Sequence, residues 1–145
     1  YGDQNIKMRT PFENRVAVHV RRGDYIGLDK NLSIKYYEDS LNLLLNKLKN
    51  FEFDVFSDDI EWAKSQKIFI NANKFWEYDD GEKVNLRDFK ELLNFKHFVI
   101  SNSTFSLIPA VINSSFNGIV LFPKNWLSSE LRKIDNENWI SVSYE

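Results

Sequence analysis

"VHVRRGDYIG", from Val18 to Gly27, decides how the rest of the chain is read. It begins inside Val16–Val20 (VAVHV), a β-branched run that reads as a buried strand. The run stops abruptly at Arg21, Arg22, Gly23 and Asp24. An arginine fork matches the oxygens of a phosphate two at a time, so a strand-end arginine suits an anion. Side chains alternate along a strand, so the two arginines leave on opposite faces. Arg22 is taken as the phosphate ligand and Arg21 as the structural partner. The bland reading is a pair of ordinary surface arginines. His19, inside the strand, is either a satisfied core histidine or a partner that holds the arginines or Asp24 at a substrate site. Arg22-Gly23-Asp24 also spells the integrin tripeptide, but no secreted-loop signal accompanies it.

Working outward, strands and helices alternate. Ser33 caps a helix over Ile34–Lys49, with Ile34, Tyr37, Leu41, Leu44, Leu45 and Leu48 at helical spacing. Phe53–Phe56 is a strand, and Asp58 or Asp59 caps a short helix through Trp62. Lys67–Ile70 is expected to be a third strand and Asp79–Glu82 a turn. Val84–Phe95 reads as a helix with Leu86, Phe89, Leu92 and Leu93 inward. Phe98–Ser101 is a strand, Thr104–Asn113 a helix and Ile119–Phe122 a strand, while Leu127–Glu145 has no clear pattern. This order argues an α/β fold: a Rossmann-like, doubly wound parallel sheet covered on both faces. Ligands of such sheets sit outside the carboxyl ends of the strands.

Composition sets the outer limits. The chain has 145 residues, 43% of them hydrophobic and 15% aromatic, with 12 Phe. That is one globular domain with a core built partly from rings. A net charge of −2 gives no global field for nucleic acid or an anionic membrane. There is no cysteine, hence no disulfide or thiolate site, and a reducing, bacterial-type cytoplasmic location is expected, peripheral to the inner membrane at most. With only His19 and His97, a structural zinc site is not expected. No apolar run approaches a membrane span of about 20 residues. The sequons headed by Asn31, Asn102 and Asn113 lack a secretory signal and read as chance. Tyr1–Asn14 is mostly polar, so residues 1–15 are expected to be a boundary segment and 16–145 the domain itself.

Each strand is followed by polar residues of a particular kind. Ser57, Asp58 and Asp59 follow the second strand, where carboxylates can accept hydrogen bonds from a ribose or base edge. Asn102, Ser103 and Thr104 follow Phe98–Ser101 at a helix start, where free N–H groups face an anion. Both groups also read as simple helix caps. With Arg22 they suggest a nucleoside diphosphate. GxxxxGK[ST] and GxGxxG are both absent.

Four stretches now resemble one family. VHVRRGDY (Val18–Tyr25) is similar to the first motif of the α-1,2-fucosyltransferases, glycosyltransferase family 11. FSDDIEW (Phe56–Trp62) resembles their second block, DFKELLNFKHFVISNSTFS (Asp88–Ser106) their third, and FPKNW (Phe122–Trp126) their C-terminal segment. The blocks stand in the family's order. Departures are Leu107, Ile108 and Pro109, where the family usually carries a Trp pair and a small residue, and Phe95 in place of its cysteine. Pro109 is expected early in its helix, where proline is tolerated.

The resemblance implies inverting, metal-independent transfer of fucose from GDP-fucose to a sugar hydroxyl, α-1,2 to galactose, with no cofactor. It implies that the chain is the C-terminal, donor-binding half of a GT-B type enzyme. The glycan acceptor is then bound mainly by a missing N-terminal half, and this chain alone is inactive. In that setting Arg22 and the helix N–H groups at Thr104 stabilise the departing β-phosphate. Asp24 and Asp29 are the candidate general bases. Asp29 stands seven residues after Arg22, where the related α-1,6-fucosyltransferases carry an acid. Asp88 reads the guanine edge, or else is a surface helix position. His19, Arg21, Gly23, Ser57, Asp58, Asn102 and Ser103 complete the expected substrate contacts. The alternatives are a non-catalytic nucleotide-sugar-binding module and a transferase domain with another GDP-sugar donor.

Overall fold

The computed structural model describes residues 10–22, 32–77, 86–124 and 137–143. Among the described residues six strands and four helices follow one another, alternating up to β5: β1 (Phe12–Val20), α1 (Ile34–Lys47), β2 (Glu52–Ser57), α2 (Ile60–Ser65), β3 (Lys74–Glu77), α3 (Leu86–Leu92), β4 (Phe95–Val99), α4 (Thr104–Ile112), β5 (Val120–Pro123) and β6 (Trp139–Val142). The strands form one sheet in the order β3-β2-β1-β4-β5-β6. Every pairing is parallel. The doubly wound α/β fold expected from the sequence is therefore present.

Strand alternation sorts the core into two layers. Val16, Val18 and Val20 pack with Tyr36, Tyr37, Leu41 and Leu44 of α1, Ala63 of α2, and Phe69. Ala17 faces the other way and joins Leu92 of α3 with Leu107 and Ala110 of α4. The chain order therefore places α1 and α2 on one face, α3 and α4 on the other. The strand order reverses between β1 and β4, which makes their carboxyl ends the ligand-binding crevice of such folds.

Several boundaries differ from the sequence reading. β1 starts at Phe12 rather than Val16: Phe12 pairs with Phe95, Arg15 pairs with Glu52, and the register with β4 shifts between Phe12 and Val16, so the polar Glu13 and Asn14 break the apolar pattern without ending the strand. Lys67–Phe69 is a 3-10 turn, not a strand. The Ile70 N–H turns back to the Lys67 carbonyl at 3.1 Å instead of pairing with a neighbouring strand, with Phe69 buried and Ile70 exposed. The third strand is instead Lys74–Glu77, an edge strand whose charged ends mask it in the sequence. The helix expected over Val84–Phe95 ends at Leu92, and Phe95 opens β4 as a buried strand residue. Leu45, expected inward on α1, is 63% exposed. Tyr36 and Ser40 take the inward places instead. Pro109 lies inside α4, where it denies the Phe105 carbonyl its helical donor. The Asp79–Glu82 turn falls outside the described residues.

Tyrosines of α1 seal the carboxyl edge. The Tyr36 hydroxyl donates to the Ile100 carbonyl at 2.6 Å. The Tyr37 hydroxyl donates to the His19 carbonyl at 3.0 Å. Burial, and next the Asp58 charge, holds the Tyr37 phenol neutral well above the ordinary tyrosine range.

Candidate functional site

β1 ends at the switch point with Arg21 and Arg22, both half-buried. Arg22 leaves on the α2 face, as alternation after Val20 requires. Its backbone N–H donates to Asp58 Oδ1 at 2.8 Å. Its guanidinium carbon stands 3.9 Å from the centre of the Trp62 ring. Its Nε is buried without a hydrogen-bond partner. Asp59 Oδ2 is 4.0 Å from that Nε.

The loop after β2 holds this arrangement in place. Asp59 is the α2 cap and accepts the Trp62 N–H at 3.2 Å. Ser57, fully buried, accepts the Asp59 N–H at 2.9 Å. Of the two aspartates the sequence left open, Asp59 caps the helix and Asp58 ties the β2 end to Arg22.

His19 leaves β1 on the opposite face, toward α4. Its Nδ1 lies 2.7 Å from the Ser106 hydroxyl and 2.8 Å from that of Ser101. Phe105 covers the ring at 5.4 Å between centroids. Burial, assisted by the Arg21 charge, pushes the imidazole down to about 3, so His19 is neutral near pH 7. It is a satisfied buried histidine that fastens the β1 end to the β4–α4 loop. In that loop Ser103 caps α4 through the Phe105 N–H at 3.2 Å. Asn102 is half-buried beside it, and Thr104 is the first residue of the helix.

Asp88 is fully buried in the first turn of α3, not on the surface. Arg87 holds its Oδ1 at 3.1 Å. Oδ2 is buried with no partner. A base can reach that oxygen only if the surrounding residues move aside. Gly23, Asp24 and Asp29 lie outside the described residues.

The structure thus joins Arg22, Ser57, Asp58 and Asp59 on one side of the β1 end, and His19, Ser101, Ser103 and Ser106 on the other. Trp62, Ser101, Ser106 and Tyr37 were not among the site residues expected from the sequence. Ser106 could have been suspected, since three residues after Ser103 on a helix it shares that residue's face. Among the described residues, no group of three His, Asp or Glu side chains could hold a metal ion. Nor is any described helix long and apolar enough to cross a membrane.

Arg22 and the capped starts of α2 and α4 thus stand at the carboxyl ends of β1, β2 and β4, where open α/β sheets take their ligands. Comparison with known proteins agrees with that outline. The model of "Glycosyl transferase family 11" matches residues 2–143. The chain belongs to glycosyl transferase family 11. This family-11 chain is 37% identical to an alpha-1,2-colitosyltransferase of Escherichia coli, over 89% of its own length and 48% of that protein. It is 28% identical to the O-antigen biosynthesis glycosyltransferase WbnK of Escherichia coli, over 89% of its length and 45% of that protein. It spans about half the length of these curated relatives. No solved structure matches it.

Proposed function

We propose that this chain is the donor-binding half of an inverting, metal-independent glycosyltransferase. The enzyme moves fucose from GDP-fucose to a sugar hydroxyl, α-1,2 to galactose. The observation that carries this reading is Arg22 at the β1–β4 switch point, its Nε buried and unpartnered.

The chemistry follows from the charges. The leaving group is GDP, whose negative charge grows on the β-phosphate as the glycosidic bond breaks. Arg22 and the N–H groups at the start of α4 stabilise that charge, and loss of one such contact slows transfer roughly 10²–10³-fold. The acceptor hydroxyl passes its proton to a carboxylate, Asp24 or Asp29. Asp88 receives the guanine edge. Inversion results from one direct displacement at the sugar carbon. The acceptor is held mainly by a second half of the enzyme, which also excludes water from the cleft. This chain alone binds donor but transfers little.

The name of the 37% identical relative supports a second donor, colitose in place of fucose, on the same nucleotide grip. Calorimetric titration with GDP, GDP-fucose, GDP-colitose and UDP tests both readings. Tight GDP binding with preference for one GDP-sugar identifies the donor. Arg22→Ala is expected to weaken GDP at least tenfold with little change in stability, and Arg22→Lys not to restore it, because the planar fork is gone. Equal GDP affinity in wild type and Arg22→Ala removes the assignment.

A further inference from the structure

The second strand-end segment does more than cap a helix. Asp58 Oδ1 takes the backbone N–H of Arg22 at 2.8 Å, and Asp59 Oδ1 takes that of Trp62 at 3.2 Å. Two consecutive carboxylates thereby fix the backbone of an arginine and of the ring beneath it. The guanidinium then lies over the Trp62 ring, 3.9 Å from its centre. From these contacts we infer that Trp62 is a positioning residue: it holds the Arg22 guanidinium in the plane that a diphosphate requires. This rests on the reading of Arg22 as a diphosphate ligand.

The physical argument is one of orientation. A guanidinium donates only from its edges, within its own plane. A ring under one face leaves those edges available and sets the direction in which they point. Arginine otherwise loses much rotamer freedom on gripping an anion, and a stacked arginine has lost part of it already. The stack alone also leaves Nε buried with no hydrogen-bond partner. Asp59 does not supply one. Its Oδ2 is 4.0 Å from Nε, beyond hydrogen-bond length, while its other oxygen is committed to the helix cap. An incoming phosphate oxygen, in the plane of the fork, gives the cation the acceptor that the ring cannot.

The inference separates from a purely structural role in a double-mutant cycle. GDP affinity is measured by titration calorimetry for wild type, Trp62→Leu, Trp62→Phe, Arg22→Ala and Arg22→Ala/Trp62→Leu, with thermal midpoints recorded for each. Trp62→Leu is expected to weaken GDP roughly tenfold, and Trp62→Phe less, in keeping with the weaker ring quadrupole. In the Arg22→Ala background, Trp62→Leu should change affinity no further. Equal losses with and without Arg22 would make Trp62 a structural residue and overturn the inference. Wild-type affinity in Trp62→Leu, with Arg22→Ala weakened, overturns it while leaving the Arg22 reading intact. Wild-type affinity in Arg22→Ala overturns that reading itself. If Trp62→Leu does not fold, tryptophan emission decides between wild type and Trp62→Phe. Pyrophosphate should change the wild-type emission through Trp62 and leave Trp62→Phe unchanged. Identical responses in the two proteins overturn the inference.

Discussion

His19 and Ser106 meet at 2.7 Å, imidazole Nδ1 to hydroxyl, across the boundary between β1 and α4. Ser101 approaches the same nitrogen at 2.8 Å. An imidazole nitrogen without a proton accepts from such hydroxyls, and a protonated one can only donate. The contact therefore makes the junction beneath the β4–α4 loop sensitive to acid.

The sign follows from burial. An unfolded histidine takes up its proton near pH 6.5, roughly. Folded His19 resists until about 3, chiefly because the charged form would be desolvated. Burial lowers His97 as well, which accepts the Ile119 N–H through Nδ1. Stability from both groups is complete above the unfolded value and drains away as pH falls toward the folded values. The slope is up to about 1.4 kcal/mol per pH unit for each histidine. Urea midpoints of wild type and His19→Gln between about pH 7 and 5 check this. The variant should lose the slope of one proton, and parallel slopes would place the acid sensitivity elsewhere.

A second prediction concerns the middle of the sheet. Asp54 is fully buried on β2 and accepts from Arg15 Nη2 at 3.1 Å, Asn73 Nδ2 at 3.2 Å and Trp76 Nε1 at 2.9 Å. The carboxylate ties β1, β2 and β3 together. Asp54→Ala strands three donors and should cost about 3–5 kcal/mol in chemical denaturation. Asp54→Asn should cost less, since one carbonyl oxygen remains. Wild-type stability in Asp54→Ala would show that water replaces the network freely.

These two sites mark what a sequence can and cannot convey. Val16–Val20 announces itself because a strand covered on both faces is apolar at nearly every position, and the strand-end polar groups follow from where it stops. Lys74–Glu77 does not, since an edge strand is half-exposed and pairs through its backbone. Lys67–Ile70 misled because three apolar residues in four fit a strand and a buried turn equally well. At the site, the alternation of Arg21 and Arg22 was legible from the period of two. The His19–Ser106 contact was not, because it depends on how α4 packs back onto β1, the partners standing 87 positions apart in the chain.

A third prediction addresses metal. A diphosphate needs positive charge, and Arg22 with the α4 N–H groups is proposed to supply it. GDP binding by this chain, and transfer by the complete enzyme, should then persist in excess EDTA. Titration before and after chelation measures this. Loss of binding on chelation, restored by Mn²⁺, would assign the carboxylates after β2 to a cation instead.

The last prediction turns on Asp88. Its Oδ1 is held by Arg87, and its Oδ2 is buried without a partner. Guanine offers two adjacent N–H donors on one edge, which a carboxylate matches and which adenine and uracil do not present. Asp88→Asn keeps the size of the side chain and removes its charge. GDP affinity should fall roughly 10–100-fold, the worth of a hydrogen bond to a charged acceptor, while ADP and UDP stay as weak as before. The preference for guanine therefore collapses. Because Asp88 is closed to solvent before the base arrives, a purely structural carboxylate is the rival account. That account predicts a shifted thermal midpoint with the GDP-over-ADP ratio preserved. Competitive titration of wild type and Asp88→Asn with GDP, inosine diphosphate and ADP separates them. In the wild type, inosine diphosphate, which lacks the exocyclic amine, should bind between the other two. A preserved ratio in the variant would remove Asp88 from the nucleotide site.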